Sequence, residues 1–422
     1  MVAVLARVAW VIYAPVNPND GRHNDSVFYH NAAHALAQGQ GYLDQFGRVT
    51  AHWPPAYPAT LALVYKAFGW HVWAANALNI ALAALTVVLA YVIARRLFDQ
   101  RAAYVGALVL ALFPGQLFFS TLTMTETMFG FAFLLVLLLT LLWTVERRGR
   151  WWQALVIGLL VGVTALVRSE GIFLAPVLAA IWALTARPWR AVVGHGALLA
   201  AGVVLALTPW TVRNAVQLHD FIPLRAHVGS AVAHGLDPEA TRPAYGLGDV
   251  RLSVGEGLRY QLRHPWEAPD LFRRKVRDLY EDDSDGLRWI QSPPSPGRDT
   301  PNWEPTLNED QLAFWGKLAD RYFFGAGAAA LVVAAVCLAS RSRRHLPFLV
   351  AALGWTMLFG LIYPVTRYHF PLGPLIAMYA GAFVVFAFDA VFAAPHRLAE
   401  WSKALRRERG PAAAGRPREA GS

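Results

Sequence analysis

Apolar residues in this chain come in blocks of roughly 17–25 divided by short charged joints, the length needed to cross ~30 Å of hydrocarbon. The blocks lie at about 1–14, 72–94, 102–120, 125–146, 152–167, 171–186, 190–208, 321–339, 346–363 and 369–393. In lipid every backbone N–H and C=O must be bonded within its own segment, so such blocks read as helices. The expected fold is an all-α polytopic membrane protein with about ten transmembrane helices and two external interfacial segments. Composition agrees: 56% of residues are hydrophobic and 16% charged, against roughly 25% charged in soluble domains.

The net charge of +10 is distributed as a membrane protein distributes it, not as a nucleic-acid-binding face. Arg95, Arg96 and Arg101 mark one joint, Arg147, Arg148 and Arg150 the next, Arg187 and Arg190 another, and Arg341, Arg343 and Arg344 a fourth. Every second joint is basic, and basic joints stay in the cytoplasm. The tail, with Arg397, Lys403, Arg406, Arg407 and Arg409, falls on the same side. Two long segments, 15–71 and 209–320, then face outward, where no ATP or nucleotide sugar is available.

Met1 to Ala14 has no basic cluster at its start and no small-residue cleavage site before Pro15, so it does not read as a signal peptide. It is short for a span and carries Arg7, as expected of a first helix whose leading half is missing. The single Cys337 lies inside an apolar block, which excludes an intrachain disulfide. There is no GxxxxGK[ST] and no GxGxxG between a strand and a helix. Gly158 and Gly162 form a GxxxG, read as close helix packing.

Within the first outer segment, Val27, Phe28, Ala32 and Leu36 are spaced for a surface-lying helix over Ser26–Gln38. In the second, 257–280 mixes Leu and Phe with Arg and Lys, and Pro265 and Pro269 should split it in two. Ser292–Thr300 reads as a mobile loop. Gly410–Ser422 is mostly Ala, Gly, Pro and Arg and reads as disordered.

The most informative constellation starts at His23-Asn24-Asp25-Ser26, passes Tyr29 and Gly39-Gln40-Gly41-Tyr42, and ends at Trp53-Pro54-Pro55-Ala56-Tyr57-Pro58. An Asp after the first span, a helix, a Gly-x-Gly-Tyr turn and a PPxYP entry resemble the polyprenyl-phosphate-dependent C-type membrane glycosyltransferases. That superfamily holds the protein O-mannosyltransferases and the lipid A aminoarabinose transferase. Further pieces follow in the same order: Phe113-Pro114 with Thr125-Glu126, Arg168-Ser169-Glu170-Gly171, Pro209-Trp210 with Arg213-Asn214, and Arg367-Tyr368 with Pro371 and Pro374. The resemblance implies a membrane glycosyltransferase domain over 1–394, with external segments 15–71 and 209–320, and a basic, partly disordered cytoplasmic tail over 395–422.

By that resemblance Asp25 is the candidate general base, taking a proton as an acceptor hydroxyl or amine attacks the anomeric carbon with inversion. Its position alone equally suits a helix N-cap. Glu126 is implied as a second acidic site residue, able to bind sugar hydroxyls, hold an Arg or ligate a metal; a charge favoured by the dipole at a helix start is the alternative reading. Arg168, Arg213 and Arg367 at outer helix ends suit donor phosphate binding, since a guanidinium gives two parallel hydrogen bonds to phosphate oxygens. Snorkelling or carboxylate pairing explains them as well. Arg225, Arg274 and Lys275 are further candidates.

Tyr29, Tyr57, Trp210 and Tyr368 are expected in the substrate pocket, although an aromatic belt also predicts outer Trp and Tyr. His30 and His34 stand one helical turn apart without the Glu of HExxH, and Glu281–Gly286 matches a calcium loop only in part. The expectation is no cofactor, with a divalent metal left possible, and a solvated loop over Glu281–Gly286. The expected partners are a polyprenyl-phosphate sugar donor, membrane lipid and an acceptor lipid, glycan or protein, with no nucleic acid. A transporter or flippase of lipid-linked glycans is the rival reading; it needs polar residues through the spans, whereas the charges here gather at one end.

Overall fold

A computed structural model describes residues 1–19, 25–146, 150–185, 188–226, 232–233, 235–238, 253–292 and 305–392. His23, the loop residues 293–300, the joint residues Arg147, Arg148 and Arg187, and the tail 395–422 lie outside the described residues. Described secondary structure is helical, apart from one isolated bridge between Leu43 and Val49.

The helices are α1 (Val2–Tyr13), α2 (Asp25–Ala37), α3 (Ala56–Phe68), α4 (Val72–Leu97), α5 (Gln100–Ala111), α6 (Pro114–Phe118), α7 (Glu126–Thr140), α8 (Trp151–Val167) and α9 (Leu174–Leu184). They continue with α10 (Trp189–Leu218), α11 (Val254–Arg263), α12 (Ala268–Leu279), α13 (Asp285–Ile290), α14 (Glu309–Ser340), α15 (Leu346–Leu361) and α16 (Gly373–Phe392). Short 3-10 turns, Ser169–Phe173 and Thr366–Leu372, precede α9 and α16.

Among the described residues six helical stretches are long and apolar enough to cross a membrane: Val72–Leu97, Glu126–Val145, Trp189–Leu218, Glu309–Ser340, Arg343–Leu361 and Thr366–Phe392. Val2–Tyr13, Trp151–Val167 and Ser169–Leu184 are apolar but shorter. The chain is thus an all-α, multi-pass membrane protein, as the block pattern requires. The block at 102–120 is not one helix: Pro114 lacks an N–H and disfavours helical backbone at the residue before it, so Phe113 is extended and the chain restarts as α6.

Glycine contacts hold the bundle together. A β-carbon at Gly158 or Gly202 would collide with the backbone of the facing helix, so α8 and α10 touch along their length. Gly106 and Gly381 allow the same between α5 and α16. In lipid, where apolar side chains gain nothing by leaving hydrocarbon, such close backbone approach is a main source of association. The basic joints meet at one end: Arg96 lies 2.9 Å from Glu146, which is also 3.9 Å from Arg344, and Arg101 lies 2.9 Å from Asp389. Glu146 follows the far end of the span that Glu126 begins, so the joints and Glu126 occupy opposite ends of the bundle.

Of the two long segments between apolar blocks, the first differs from its sequence reading. α2 is helical as expected, but it does not lie free on a surface. Phe28, Tyr29, Ala32 and Ala33 are buried with Tyr57 and Leu61 of α3 and with Trp210. The 254–279 region does split at its prolines into α11 and α12, and Val254, Leu258, Leu262 and Trp266 remain exposed.

Candidate functional site

The turn before α3 is built by residues that no other type replaces easily. Gly39 (φ 74°) and Gly41 (φ 94°) adopt left-handed backbone that a β-carbon would strain. They turn Tyr42 back so that its hydroxyl donates toward the carbonyl oxygens of Trp53 and Pro54 at 3.0 and 3.2 Å. Arg213 braces the same loop, donating to the carbonyls of Thr50 (2.7 Å) and Tyr42 (2.9 Å) and lying over the Trp210 ring at 5.0 Å. Tyr57 enters the core, where its hydroxyl donates to Asn79 at 3.2 Å, and Asn79 donates to the Leu122 carbonyl at 2.7 Å. This buried relay sets the loop that leads into Thr125 and Glu126.

Beside the relay lies a cleft partly open to its surroundings. Asp25 and Tyr29 enter from α2, Trp53 from the braced loop, Thr125 from the start of α7, Arg168 and Glu170 from the end of α8, and Arg367 and Tyr368 from the turn Thr366–Leu372. Arg168 Nη1 donates to Glu126 Oε1 at 2.6 Å and to Thr125 Oγ1 at 3.1 Å. Arg367 Nη1 donates to Asp25 Oδ2 at 3.1 Å and stands 3.8 Å from Glu126 Oε1. Glu170 lies 3.8 Å from Arg168. Burial pulls the Arg168 guanidinium down, but Glu126 and Glu170 outweigh it and leave the group above its ordinary value. Burial raises the Tyr29 hydroxyl well above its ordinary value, reinforced by Asp25, so Tyr29 remains a hydrogen-bond donor.

Five of the nine residues singled out from the sequence line this cleft: Asp25, Tyr29, Arg168, Arg367 and Tyr368. Glu126 sits just beneath, buried, in contact with both guanidinium groups. Arg213, Trp210 and Tyr57 do not line it. Arg213 is spent on loop carbonyls, Trp210 donates to the Leu224 carbonyl at 2.8 Å, and Tyr57 is fully buried on Asn79. Arg225, a further candidate from the sequence, lines the cleft as well. Its guanidinium lies 5.6 Å from the Trp53 ring, makes no ion pair among the described residues, and has a buried Nε without a hydrogen-bond partner. Sequence reasoning gave it little weight because a lone Arg after a helix has no distinguishing spacing.

The acidic run is a correction. Glu281–Gly286 is not a solvated loop: Asp282, Asp283 and Asp285 are buried, Asp283 against His369 at 2.9 Å, and Asp282 and Asp285 against Arg288. The histidines of α2 also have structural partners. His30 Nδ1 is 2.6 Å from the Tyr65 hydroxyl, and His34 stacks on Trp70 at 3.8 Å. Among the described residues no group of three or more His, Cys, Asp or Glu side chains is arranged to hold a metal.

An all-helical membrane bundle that gathers acids and guanidinium groups in one aromatic-walled cleft at the end away from its basic joints fits the resemblance to the polyprenyl-phosphate-dependent membrane glycosyltransferases. Comparison with known proteins bears out that resemblance. Residues 52–212 match the family described as dolichyl-phosphate-mannose-protein mannosyltransferase. Over 159 residues the chain is 33% identical to the undecaprenyl phosphate-alpha-4-amino-4-deoxy-L-arabinose arabinosyl transferase of Pseudomonas aeruginosa, a match covering 36% of this chain and 28% of that protein. The matched region is thus under a third of the curated relative's length.

The fold is similar to that of ArnT from Cupriavidus metallidurans bound to undecaprenyl phosphate, with a TM-score of 0.56 at 15% identity over 95% of this chain and 61% of the other. It is also similar to the oligosaccharyltransferase AglB from Archaeoglobus fulgidus in complex with an inhibitory peptide and a dolichol-phosphate, with a TM-score of 0.51 at 18% identity over 96% of this chain and 51% of the other.

Proposed function

We propose that the chain is an inverting glycosyltransferase that moves one sugar from a polyprenyl-phosphate donor to a lipid, glycan or protein acceptor at the outer face of the cytoplasmic membrane. The observation that carries this reading is the convergence of Asp25, Glu126, Arg168 and Arg367, from four distant stretches, on one cleft. The outward orientation draws support from the basic joints, which gather at the opposite end.

In the proposed reaction the acceptor oxygen or nitrogen forms a bond to the anomeric carbon while the bond from that carbon to the donor phosphate oxygen breaks. Asp25 accepts the acceptor's proton as the new bond forms. The electron pair leaves with the polyprenyl phosphate, already a stable anion, so its need is fixed positive charge and not a general acid. Arg168 and Arg367 supply that charge.

Without donor, Arg367 is bound to the carboxylate that would act as base. Donor phosphate competes for the same guanidinium N–H groups, and its arrival frees Asp25 for the acceptor. Glu126, pinned by Arg168, holds both cations in place. The two guanidinium groups supply the positive charge that a divalent ion would otherwise bring to the leaving phosphate, so this reading needs no resident metal.

The test is to reconstitute the chain in liposomes, supply radiolabelled polyprenyl-phosphate sugars, and follow label into extracted lipid, glycan and protein. Label should leave the donor with the wild-type chain and stay on it with Asp25→Asn, and chelation by EDTA should leave the wild-type rate unchanged. Donor crossing the bilayer unhydrolysed and untransferred would instead identify a flippase.

A further inference from the structure

The acidic run after α12 stands outside the transfer cleft, yet three of its carboxylates are buried, which is costly unless each has a dedicated partner. Each partner leads toward the turn Thr366–Leu372. His369, on that turn, donates through Nδ1 to the Leu279 carbonyl at 2.9 Å, which leaves Nε2 to share a proton with Asp283 Oδ1 at 2.9 Å. The Asp283 backbone N–H is itself held by Asp320 of α14 at 2.9 Å, and a β-carbon at Gly115 would collide with the Asp283 carboxylate. Arg288 pairs with Asp282 and Asp285 and reaches Thr366 Oγ1 at 3.3 Å. Trp289 donates its indole N–H to Asp285 Oδ2 at 3.0 Å and lays its ring 4.3 Å from the guanidinium carbon of Arg367.

We propose that the segment Asp282–Ile290 is the positioning element for Arg367, with the Asp283–His369 pair pinning the turn that carries it and the Trp289 ring fixing the plane of its guanidinium. An Arg side chain has several rotatable bonds, and its two-pronged grip on a phosphate depends on the plane it presents. Asp25 and Glu126 meet the guanidinium at Nη1. Of the two rings over its face, Trp289 at 4.3 Å is nearer than Tyr368 at 5.8 Å and constrains the plane more closely. The outer segment between α10 and α14 therefore acts on transfer through this contact, whether or not it touches the acceptor. Asp283 and Trp289 are positioning residues; neither is assigned a bond to substrate.

The inference rests on the reading that Arg367 takes the donor phosphate, and the experiment has two readouts so that the two can fail separately. In the full-length chain, Asp283→Asn and Trp289→Leu should raise amide hydrogen exchange in 363–372 while leaving 376–392 of α16 as in the wild type. Unchanged exchange at 363–372 in both variants overturns the pinning, whatever the enzyme's activity. In transfer assays, Trp289→Leu should lower kcat at least tenfold with a smaller change in donor KM, because misplacing Arg367 weakens the hold on charge that builds in the transition state. Trp289→Phe, which keeps a ring at the same place, should recover most of the rate. In an Arg367→Ala background Trp289→Leu should cost nothing further, since paired residues are non-additive. A loss that multiplies in that background, or no rescue by Phe, overturns the positioning role. A wild-type chain inert toward every polyprenyl-phosphate sugar would sink the transferase reading while the exchange data still decide the pinning.

Discussion

Arg367 Nη1 lies 3.1 Å from Asp25 Oδ2 although 342 positions separate the two residues in sequence. Within the same cluster Glu126 touches both Arg168 and Arg367, and Glu170 touches Arg168, so the two cations and three acids form one connected array. Such an array is stable only when complete: removing one member leaves a buried charge without its partner. Substitutions here therefore need readouts that separate chemistry from folding.

Asp25→Asn keeps the shape of the side chain and a hydrogen-bonding group for Arg367 but removes the proton acceptor. The expected outcome is a fall in transfer rate of about 10²–10⁴-fold. Binding of undecaprenyl phosphate, measured by native mass spectrometry, should change only a few-fold. A variant that transfers at the wild-type rate would remove Asp25 from the base role.

Arg225 is the cleft guanidinium without an ion-pair partner among the described residues, so its charge can be given to an incoming anion without breaking an existing pair. Arg225→Ala should raise the donor KM about tenfold, equivalent to about 1.4 kcal/mol, with kcat reduced less. Arg225→Lys should fall between the two. Steady-state kinetics with a single purified donor decides it, and an unchanged KM would assign the residue to the rim of the cleft only.

For Arg213 the structure points to stability. Its guanidinium satisfies the carbonyls of Thr50 and Tyr42, and Arg213→Ala leaves them to find water or nothing. The expected loss is about 1–3 kcal/mol, read as a lower midpoint of thermal unfolding in detergent. Folded variant at saturating donor should keep its kcat. A tenfold rise in donor KM at unchanged stability would place Arg213 in phosphate binding instead.

Burial lowers His30 from 6.5 to about 4, with His34 adding to the effect. The folded chain thus prefers the neutral ring, and on acidification the unfolded chain binds a proton that the folded one refuses. The stability this provides is present above about pH 6.5 and is lost as pH falls toward about 4. The slope should be on the order of 1 kcal/mol per pH unit in that window. Thermal unfolding measured between pH 7 and 4.5 should show it, and His30→Gln should flatten the acid limb; an equally steep limb in the variant would assign it to other groups.

The sequence was most legible where lipid is the constraint. An apolar block in hydrocarbon must be a helix, and a basic joint costs least on one side of the membrane, so class and layout follow from local composition. The Gly-x-Gly-Tyr turn was readable for a similar reason, since the left-handed backbone at Gly39 and Gly41 is dictated at those two positions. The acidic run shows the opposite. Asp283 looks solvated in one dimension because its partner His369 lies more than eighty positions away, and the local pairs of Asp282 and Asp285 with Arg288 say nothing in sequence about what buries them.

Sequence alone determined that this chain is a multi-pass helical membrane protein, and it nominated acids and guanidinium residues as candidates for transfer chemistry. Only the tertiary structure decided which of them meet. Arg168 and Arg367 reach the cleft, whereas Arg213, also near a helix end, turns into the loop carbonyls, and Arg225 lines the cleft instead. The physical reason is that hydrocarbon acts on each segment separately, while a guanidinium chooses among acceptors brought near it by the packing of helices distant in sequence.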